Sequence, residues 1–596
     1  MIKLLKHLNK WAYLLIVLVI GLIILQVYSD LELPTRLTNI LTTASTSEGL
    51  LSQGLLTEAL KKEYQKKILQ NGLEMLGFAS LSMLSSILVC FFASKIASSF
   101  SYNLRKEVYS HIQSFSTNEI DQCSTASLIT RTTNDITQVQ MVVIMTLRMG
   151  IAAPTTAILG ILKAGRIEQA AELSWVVVIA VLALVTLVVS IFLIVLPRFK
   201  RIQEYTDRLN LVTRENLTGI RVVRANNAQE YQEEKFCNVN QKVTKTNIFV
   251  NRMMNLMMPG MNIIMNGTSL AILWIGAYLI NENPLFLGSV FGFQQITMMI
   301  VMAFMQLIMI FIMVPRGLVS ARRVRDVLEV VPSIRNPINI QTPESDAVGK
   351  IEYNNVCFSY PNSKENVLDH INFSAKQGDT VAIIGSTGSG KSSLIGLLPR
   401  FFDATEGEVY VDGVNTKDYD LEVLRDKIAF IAQKALLFKG TIRSNLLYGK
   451  NDATEEEMMD ALKMAMAYDF VMDSPAGLDQ DVSQGGSNFS GGQKQRLSIA
   501  RALIKKPEII VFDDSFSALD FKTDKVLREN LKKLDYQPTK IIVAQRIGTI
   551  LDADLILVLE KGKIVGAGTH EELIKNCTVY QEIAYSQLSK EEIENA

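Results

Sequence analysis

Long apolar runs dominate the first 314 residues of the chain and then stop. A helix of about 20 apolar residues is needed to cross the roughly 30 Å hydrocarbon layer of a bilayer. Six runs are long enough: residues 11–28, 75–96, 141–163, 175–196, 256–280 and 287–314. The fourth, WVVVIAVLALVTLVVSIFLIVL, carries no charge. The third contains Arg148, read either as an intramembrane functional charge or, the favoured reading, as lying at or below the headgroups, because long cationic side chains snorkel near helix ends. Lys3, Lys6 and Lys10 precede the first run, and Gln26-Val27-Tyr28-Ser29-Asp30 is a poor cleavage sequence. The run therefore reads as a retained helix with a cytoplasmic amino terminus. Six crossings return the chain to the cytoplasm at residue 315.

The connections have patterns of their own. Residues 29–74 are expected to form a long outer loop, with a lysine-rich stretch at 61–67 that runs against the positive-inside rule. Long loops obey that rule weakly. The outer connection at 281–284 is short and holds only Glu282. Residues 97–140 and 197–255 fall on the cytoplasmic side, polar and nearly free of proline. The second of these is rich in Arg and Lys, from Arg198 to Lys245. At 1.5 Å per residue each is expected to make a helical hairpin reaching tens of ångströms from the membrane. Such rods suit a machine that transmits force from a cytosolic engine. A simple channel has no need of them.

After residue 330 the texture changes. Residues 333–349 are polar with two prolines, the signature of a linker. Short β-rich runs then alternate with helix patterns, as in an α/β domain. The expected organisation is a membrane domain at 1–330, a linker at 331–349 and a soluble domain at 350–596. Composition agrees: 48% of residues are hydrophobic and 20% charged, too apolar for a disordered chain. Sixty basic residues balance 60 acidic ones, so no basic excess points to nucleic acid. Cys90, Cys123, Cys237, Cys357 and Cys577 are scattered without a CxxC pair. They signal neither a zinc site nor a disulfide framework, and are expected to be free thiols.

The soluble part carries the chemistry. Val381-Ala-Ile-Ile-Gly385-Ser386-Thr387-Gly388-Ser389-Gly390-Lys391-Ser392-Ser393 reads as a buried strand, a glycine-rich turn and a helix start. It fits the phosphate-loop pattern GxxxxGK[ST]. The glycines let backbone N–H groups curl around phosphate oxygens, and the helix offers its positive end. Lys391 is expected to reach the β and γ phosphates of ATP, and Ser392 to supply a ligand to Mg²⁺. Ile509-Ile-Val-Phe-Asp513-Asp514 is an apolar strand ending in carboxylates, with Asp513 placed to hold the same ion through water. Asn488-Phe489-Ser490-Gly491-Gly492-Gln493 precedes a helix pattern and gives a second anion-binding helix terminus.

Together these motifs resemble the ATP-binding cassette (ABC) exporter half-transporters, and the resemblance spans essentially the whole chain. It implies an α-helical six-span membrane domain followed by an α/β phosphate-loop nucleotide-binding domain. The activity implied is ATP hydrolysis coupled to transport. In that family the signature loop is LSGGQ; here Phe489 replaces the leucine. By resemblance, Tyr360 in FSYP stacks on adenine. Gln433 in FIAQ senses magnesium, and Ser517-Ala-Leu-Asp520 crosses a dimer interface.

Three positions depart from the family pattern. The family's catalytic base is a glutamate after the magnesium aspartate, and this chain has Asp514, one methylene shorter. The family's switch histidine is replaced by Gln545, which donates a hydrogen bond but carries no charge and shuttles no proton. Gln484 stands where a glutamate is frequent. General-base catalysis contributes about 10²–10⁴ in rate. The family dimer sandwiches each ATP between one subunit's phosphate loop and the other's signature loop. This chain therefore resembles the degenerate partner of a heterodimeric bacterial multidrug exporter. It would hold ATP at its own slow site and complete the fast site of a second half-transporter. Drift of Asp514 and Gln545 in a slow homodimer is the competing explanation.

Substrate clues lie in the last two runs. Twelve of the 23 methionines stand in or just before them, between Met253 and Met313, with Asn262, Asn266, Gln294, Gln295 and Gln306 among them. Methionine suits surfaces that accept many apolar shapes, and buried amides should face a cavity or another helix. Ordinary helix packing explains the methionines equally well. Three functions stay open: efflux of hydrophobic compounds by a heterodimer, export of a specific lipid or peptide by a homodimer, and a regulatory ATP-binding or ATP-gated channel subunit. The expected location is a bacterial plasma membrane.

Overall fold

A computed structural model describes residues 10–52, 55, 57–167, 170–282, 286–343, 348–361, 363 and 365–587. Lys3, Lys6, residues 283 and 284, and linker residues 344–347 lie outside the described residues. The chain divides into two units, one of residues 1–112 and 126–329, the other of 113–125 and 330–596.

Among the described residues, the first unit has six helical segments long and apolar enough to cross a membrane. All six apolar runs fall on them. Its helices are α1 (Lys10–Ser52), α2 (Glu58–Gln113), α5 (Ile136–Ala164), α6 (Ala170–Thr218), α7 (Ile220–Ala225), α8 (Gln229–Asn255), α9 (Met257–Glu282) and α10 (Phe286–Leu328). Two short helices, α3 (Thr117–Cys123) and α4 (Thr125–Thr130), and a π-helical turn Arg131–Asp135 join α2 to α5. The long connections at 97–140 and 197–255 are helical hairpins, as their polar helix-forming composition predicts.

The expected outer loop at 29–74 is mostly helix. Helix α1 continues through Pro34 to Ser52, and α2 starts at Glu58. The hydroxyl of Thr38 donates to the Pro34 carbonyl at 2.9 Å. Ionic contacts hold this region. Lys163 Nζ lies 2.7 Å from Glu32, and Arg36 lies 2.7 Å from Glu74 and 3.7 Å from Glu32. A helix that extends past the apolar run has no hydrophobic signal; it is held by these partners, which are remote in sequence.

Small residues let the helices approach closely. A Cβ on Gly317 of α10 would lie 2.4 Å from Val142 of α5, and one on Gly276 of α9 2.3 Å from Val290 of α10. The buried Asp135 carboxylate accepts from the Ser320 hydroxyl at 2.7 Å. Arg148 is exposed on α5, 16 residues, or about 24 Å, before the helix ends at Ala164.

The second unit holds two main sheets. The first is antiparallel, in the order β2–β1–β4–β5, from β1 (Ile351–Phe358), β2 (Leu368–Ala375), β4 (Glu406–Val411) and β5 (Val414–Asn415). The second contains β3 (Thr380–Gly385), β6 (Ile428–Ile431), β9 (Ile509–Asp513), β10 (Thr539–Val543), β11 (Leu555–Glu560) and β12 (Lys563–Gly568). Its order is β12–β11–β3–β10–β9–β6, with only β12 antiparallel. Strands β7 (Gly440–Thr441) and β8 (Asp481–Val482) form a small ribbon. Strands β3, β9 and β10 are apolar almost throughout because both faces of a parallel sheet are covered. Their carboxyl ends, where ligands bind in open α/β sheets, carry the phosphate loop, Asp513 and the segment leading to Gln545.

Residues 113–125, the tip of the hairpin at 97–140, belong to this second unit. Ser116 and Glu119 form a capping box at the start of α3. The buried Glu119 carboxylate accepts from Ser116 N at 2.7 Å and Ser333 N at 3.2 Å, and the two serine hydroxyls lie 2.9 Å apart. Burial pushes the Glu119 pKa up, but hydrogen bonds from Ser116 and Ser333 outweigh it and hold the pKa below the ordinary 4.5. A carboxylate with a depressed folded pKa adds stability above its unfolded pKa, lost as the pH falls through the folded value. Glu119→Gln should therefore lower the thermal stability of the full chain at pH 6 by about 1–3 kcal/mol. In melts at successively lower pH, the gap to wild type should close. A gap that stays constant down to pH 3 would assign the loss to packing instead.

Candidate nucleotide site

The phosphate loop joins β3 to the helix α11 (Lys391–Gly396). Gly385, Gly388 and Gly390 have φ of 158°, 83° and 100°. A Cβ on Gly385 would lie 2.1 Å from the Leu559 carbonyl, and one on Gly390 2.9 Å from the Val367 carbonyl. At Gly390 both the left-handed backbone and the close approach demand glycine. Ser386, Thr387 and Gly388 are exposed, while Ser389 and Gly390 are buried. Ser389 fixes the loop from behind, its carbonyl accepting from Gly562 N at 3.2 Å.

Lys391 Nζ folds over the loop and donates to the carbonyls of Gly385 at 2.8 Å and Ser386 at 2.7 Å. Burial lowers its pKa, opposed by the charges of Asp514 and Asp513. The ammonium is thus held at the mouth of the loop, where phosphate oxygens are stronger acceptors than the carbonyls it now uses.

Ser392 Oγ donates to Asp513 Oδ1 at 2.9 Å. Burial raises the Asp513 pKa, the Ser392 hydrogen bond lowers it, and the neighbouring Asp514 raises it further. A hydroxyl and a carboxylate meeting at one point are hard oxygen donors, and they fit Mg²⁺. Bound there, the ion would neutralise charge on the β and γ phosphates. Gln433 lines the same cleft as Ser392 and Asp513.

Asp514 is buried, with φ of 49°. Asp tolerates this left-handed conformation better than most residues. Its backbone N–H donates to the Val543 carbonyl at 3.0 Å, which fixes where the side chain starts. Its Oδ2 accepts from two amides, Gln433 Nε2 at 3.1 Å and Gln545 Nε2 at 2.8 Å. Gln433 and Gln545 therefore meet at one oxygen atom of Asp514. Together with Val367, Thr387, Gly388, Gly390–Ser393, Asp513 and Val543 they line an open cleft of ≈ 300 Å³.

Tyr360 reaches this cleft's edge. Its hydroxyl lies 3.0 Å from Ser393 Oγ, and its ring packs edge-on against Phe358 and Phe402 at 4.9 and 5.5 Å. Ser490, Gly491, Gly492, Gln493 and Asp520 do not line the cleft. Ser490 caps the helix Gly491–Leu503: Gln493 N donates to Ser490 Oγ at 3.3 Å and Ser490 N to Gln493 Oε1 at 2.9 Å. Phe489 is buried in the core, so the exchange of leucine for phenylalanine is taken up by packing and leaves the exposed Ser490 edge free. Asp520 caps the helix Phe521–Lys532; the N–H of Thr523, 3.0 Å away, holds its pKa low. Gln484 is exposed on a 3₁₀ turn.

Ser393, which the sequence already places in the phosphate-loop run, and Gln587, which sequence reading missed, support the site. Ser393 anchors the Tyr360 hydroxyl. Gln587 of the carboxyl-terminal helix donates to the Gln545 carbonyl at 2.8 Å and accepts from Ile547 N at 2.9 Å, bracing the switch segment. Gln587 belongs to no motif in which it would stand out.

A phosphate loop, a strand-end aspartate and a capped glycine-rich signature helix, in one chain with six membrane-length helices, define a membrane transporter powered by an ATP-binding cassette. The comparisons agree. The ABC transporter transmembrane region matches residues 2–304 and the ABC transporter domain residues 368–517. The chain is 38% identical to the uncharacterized ABC transporter ATP-binding protein Rv1273c of Mycobacterium tuberculosis, covering 87% of this chain and 88% of that one. It is 36% identical to the uncharacterized ABC transporter ATP-binding protein YfiB of Bacillus subtilis, covering 87% and 90%. An ATP-dependent lipid A-core flippase of Desulfotalea psychrophila is 34% identical over 64% of this chain and 66% of that one. In fold, the chain is similar to a bacterial Atm1-family ABC exporter with ATP bound, with TM-score 0.78, 21% identity and coverage of 98% and 99%. The chain belongs to the ABC transporter family and has the half-transporter format of its exporters, a membrane domain followed by a nucleotide-binding domain.

Proposed function

We propose that this chain is the degenerate-site subunit of a heterodimeric exporter of hydrophobic compounds. The observation that carries this reading is the Asp514 carboxylate, whose Oδ2 is held by the amides of Gln433 and Gln545 at 3.1 and 2.8 Å. A short acid tied by two neutral donors is poorly placed to take a proton from water. A general base must reach that water directly or through one other. The rest of the nucleotide site is complete, with Lys391 and Ser392 poised for ATP and Mg²⁺. Ser490–Gln493 supplies an intact signature edge for a second subunit's nucleotide.

The membrane helices support an assembly of two. Asn262 and Asn266 on α9 are exposed, as are Gln295, Met302, Gln306 and Met309 along one stripe of α10. Amides on a membrane helix should face another helix or a water-filled cavity rather than lipid. A second subunit provides both. The interspersed methionines suit apolar cargo of varied shape. The basic cytoplasmic hairpin supports a cytoplasmic placement of both termini, in the plasma membrane of a bacterium. A second reading, export of a lipid, is favoured by the similarity to the lipid A-core flippase.

Affinity purification of the tagged chain from its native membrane tests the pairing. We expect an equimolar second ABC half-transporter, with glutamate after its magnesium aspartate and histidine at its switch. Recovery of this chain paired only with itself would overturn the heterodimer.

A further inference from the structure

We propose that Cys357, Asp369 and His370 form a binding site for a divalent transition metal ion of the zinc class, separate from the nucleotide cleft. Their donor atoms lie within 4.8 Å of one another. Cys357 Sγ is 3.8 Å from Asp369 Oδ1, and His370 Nε2 is 3.7 Å from the same oxygen. Tetrahedral zinc with thiolate, imidazole and carboxylate ligands places such donors about 3.3–3.6 Å apart. The three side chains need only a small contraction, and the exposed imidazole can make it by pivoting about its hydrogen bond to Asn355.

Irregular pairing builds the cluster. Between Val356↔Ile371 and Phe358↔Leu368, Cys357 on β1 stands opposite both Asp369 and His370 on β2. The extra residue is a β-bulge, which re-aims side chains. His370 accordingly adopts φ of 51°, and the pairing of β1 with β4 shifts at the same place. Without the bulge, Asp369 and His370 would point to opposite faces of the strand.

The hydrogen bonds around the cluster orient it towards a cation. His370 Nδ1 lies 2.7 Å from Asn355 Oδ1, an acceptor. In the neutral tautomer whose Nδ1–H donates to Asn355, the Nε2 lone pair is on the side of the Asp369 carboxylate. An imidazole fixed through its other nitrogen is the usual outer-shell support of a metal ligand. Asn355 is itself held, its backbone N–H donating to Asn372 Oδ1 at 2.8 Å while Asn372 Nδ2 donates to the His370 carbonyl at 3.0 Å. The other Asp369 oxygen, Oδ2, is engaged by Lys563 at 3.2 Å, leaving Oδ1 for the ion. Cys357 is buried and is a free thiol. On binding, the ion displaces the thiol proton to solvent and takes the thiolate, one carboxylate oxygen and one imidazole nitrogen. Solvent reaches the fourth position past His370. Soft and borderline donors in this mixture favour zinc, cobalt or nickel over Mg²⁺ or Ca²⁺.

The site lies at the root of the Tyr360 loop, three residues before that ring. Asp369 N donates to the Gly562 carbonyl at 2.9 Å, and Gly562 N donates to Ser389 of the phosphate loop. An ion here would tie both loops to one point.

Titration of the purified full chain with Co²⁺ tests the proposal by absorption spectroscopy. We expect one equivalent to give a near-ultraviolet thiolate-to-cobalt band and visible bands of a four-coordinate ion, both abolished by excess Zn²⁺. Cys357→Ser should remove the near-ultraviolet band. His370→Asn, which tolerates the left-handed backbone and leaves the core untouched, should weaken Co²⁺ binding at least tenfold. No band at saturating Co²⁺, a band that survives Cys357→Ser, or unchanged affinity in His370→Asn would each overturn the site.

Discussion

Asp514→Glu combined with Gln545→His is expected to raise ATP turnover by the self-paired chain about 10²–10⁴-fold, the usual contribution of a positioned general base. The backbone of Asp514 is fixed by its bond to Val543 and by the left-handed conformation that follows β9. Side-chain length therefore sets the reach of the carboxylate, and one more methylene carries it further into the cleft. Gln545→His replaces a donor that only ties the acid by one that can also bear charge. Gln545 and Asp514 share a 2.8 Å hydrogen bond, so the two changes should be strongly non-additive. The opposing signature edge needs no repair, because the Ser490–Gln493 capping box is intact. Phosphate release under saturating Mg–ATP is the measurement. Acceleration below threefold would show that something other than the base limits turnover.

Lys391→Ala is expected to weaken ATP binding at least about 100-fold, close to 3 kcal/mol, whereas Asp514→Asn should leave affinity within about threefold. Lys391 Nζ now rests on two loop carbonyls at 2.8 and 2.7 Å, and exchanging these for phosphate oxygens turns neutral acceptors into charged ones. Asp514 makes no contact that binding of phosphate requires. Its carboxylate faces two glutamine amides, and loss of its charge next to incoming phosphates removes a repulsion. Equilibrium binding of a fluorescent ATP analogue separates the two variants. Equal losses in both would mean that gripping and splitting ATP are not separable at this site.

The residues legible in the sequence are those whose signal is contiguous. A run of about 20 apolar residues announces a membrane helix by itself, and all six runs lie within helices. The phosphate loop occupies one strand, one turn and one helix start, so its geometry is local. Helix α1 beyond residue 28 was not legible, since Glu32 and Arg36 look like loop residues until Lys163 and Glu74 are brought beside them. The same applies at the site. Ser393 meets Tyr360 across 33 residues and Gln587 meets Gln545 across 42, by bonds that no motif encodes. Cys357 and His370 are joined by a bulge, a break in strand pairing that leaves no mark on the alternation of residues. Phe489 shows the converse: a motif departure visible in sequence that the fold absorbs in its core.

The most direct test compares steady-state ATP hydrolysis by this chain, purified as the sole ABC subunit, with hydrolysis by its complex with the co-purifying half-transporter. A degenerate site held by Asp514 and Gln545 predicts turnover at least about 100-fold lower for the chain alone, with ATP still bound tightly. Equal turnover in the two preparations, coupled to transport by the chain alone, would contradict it.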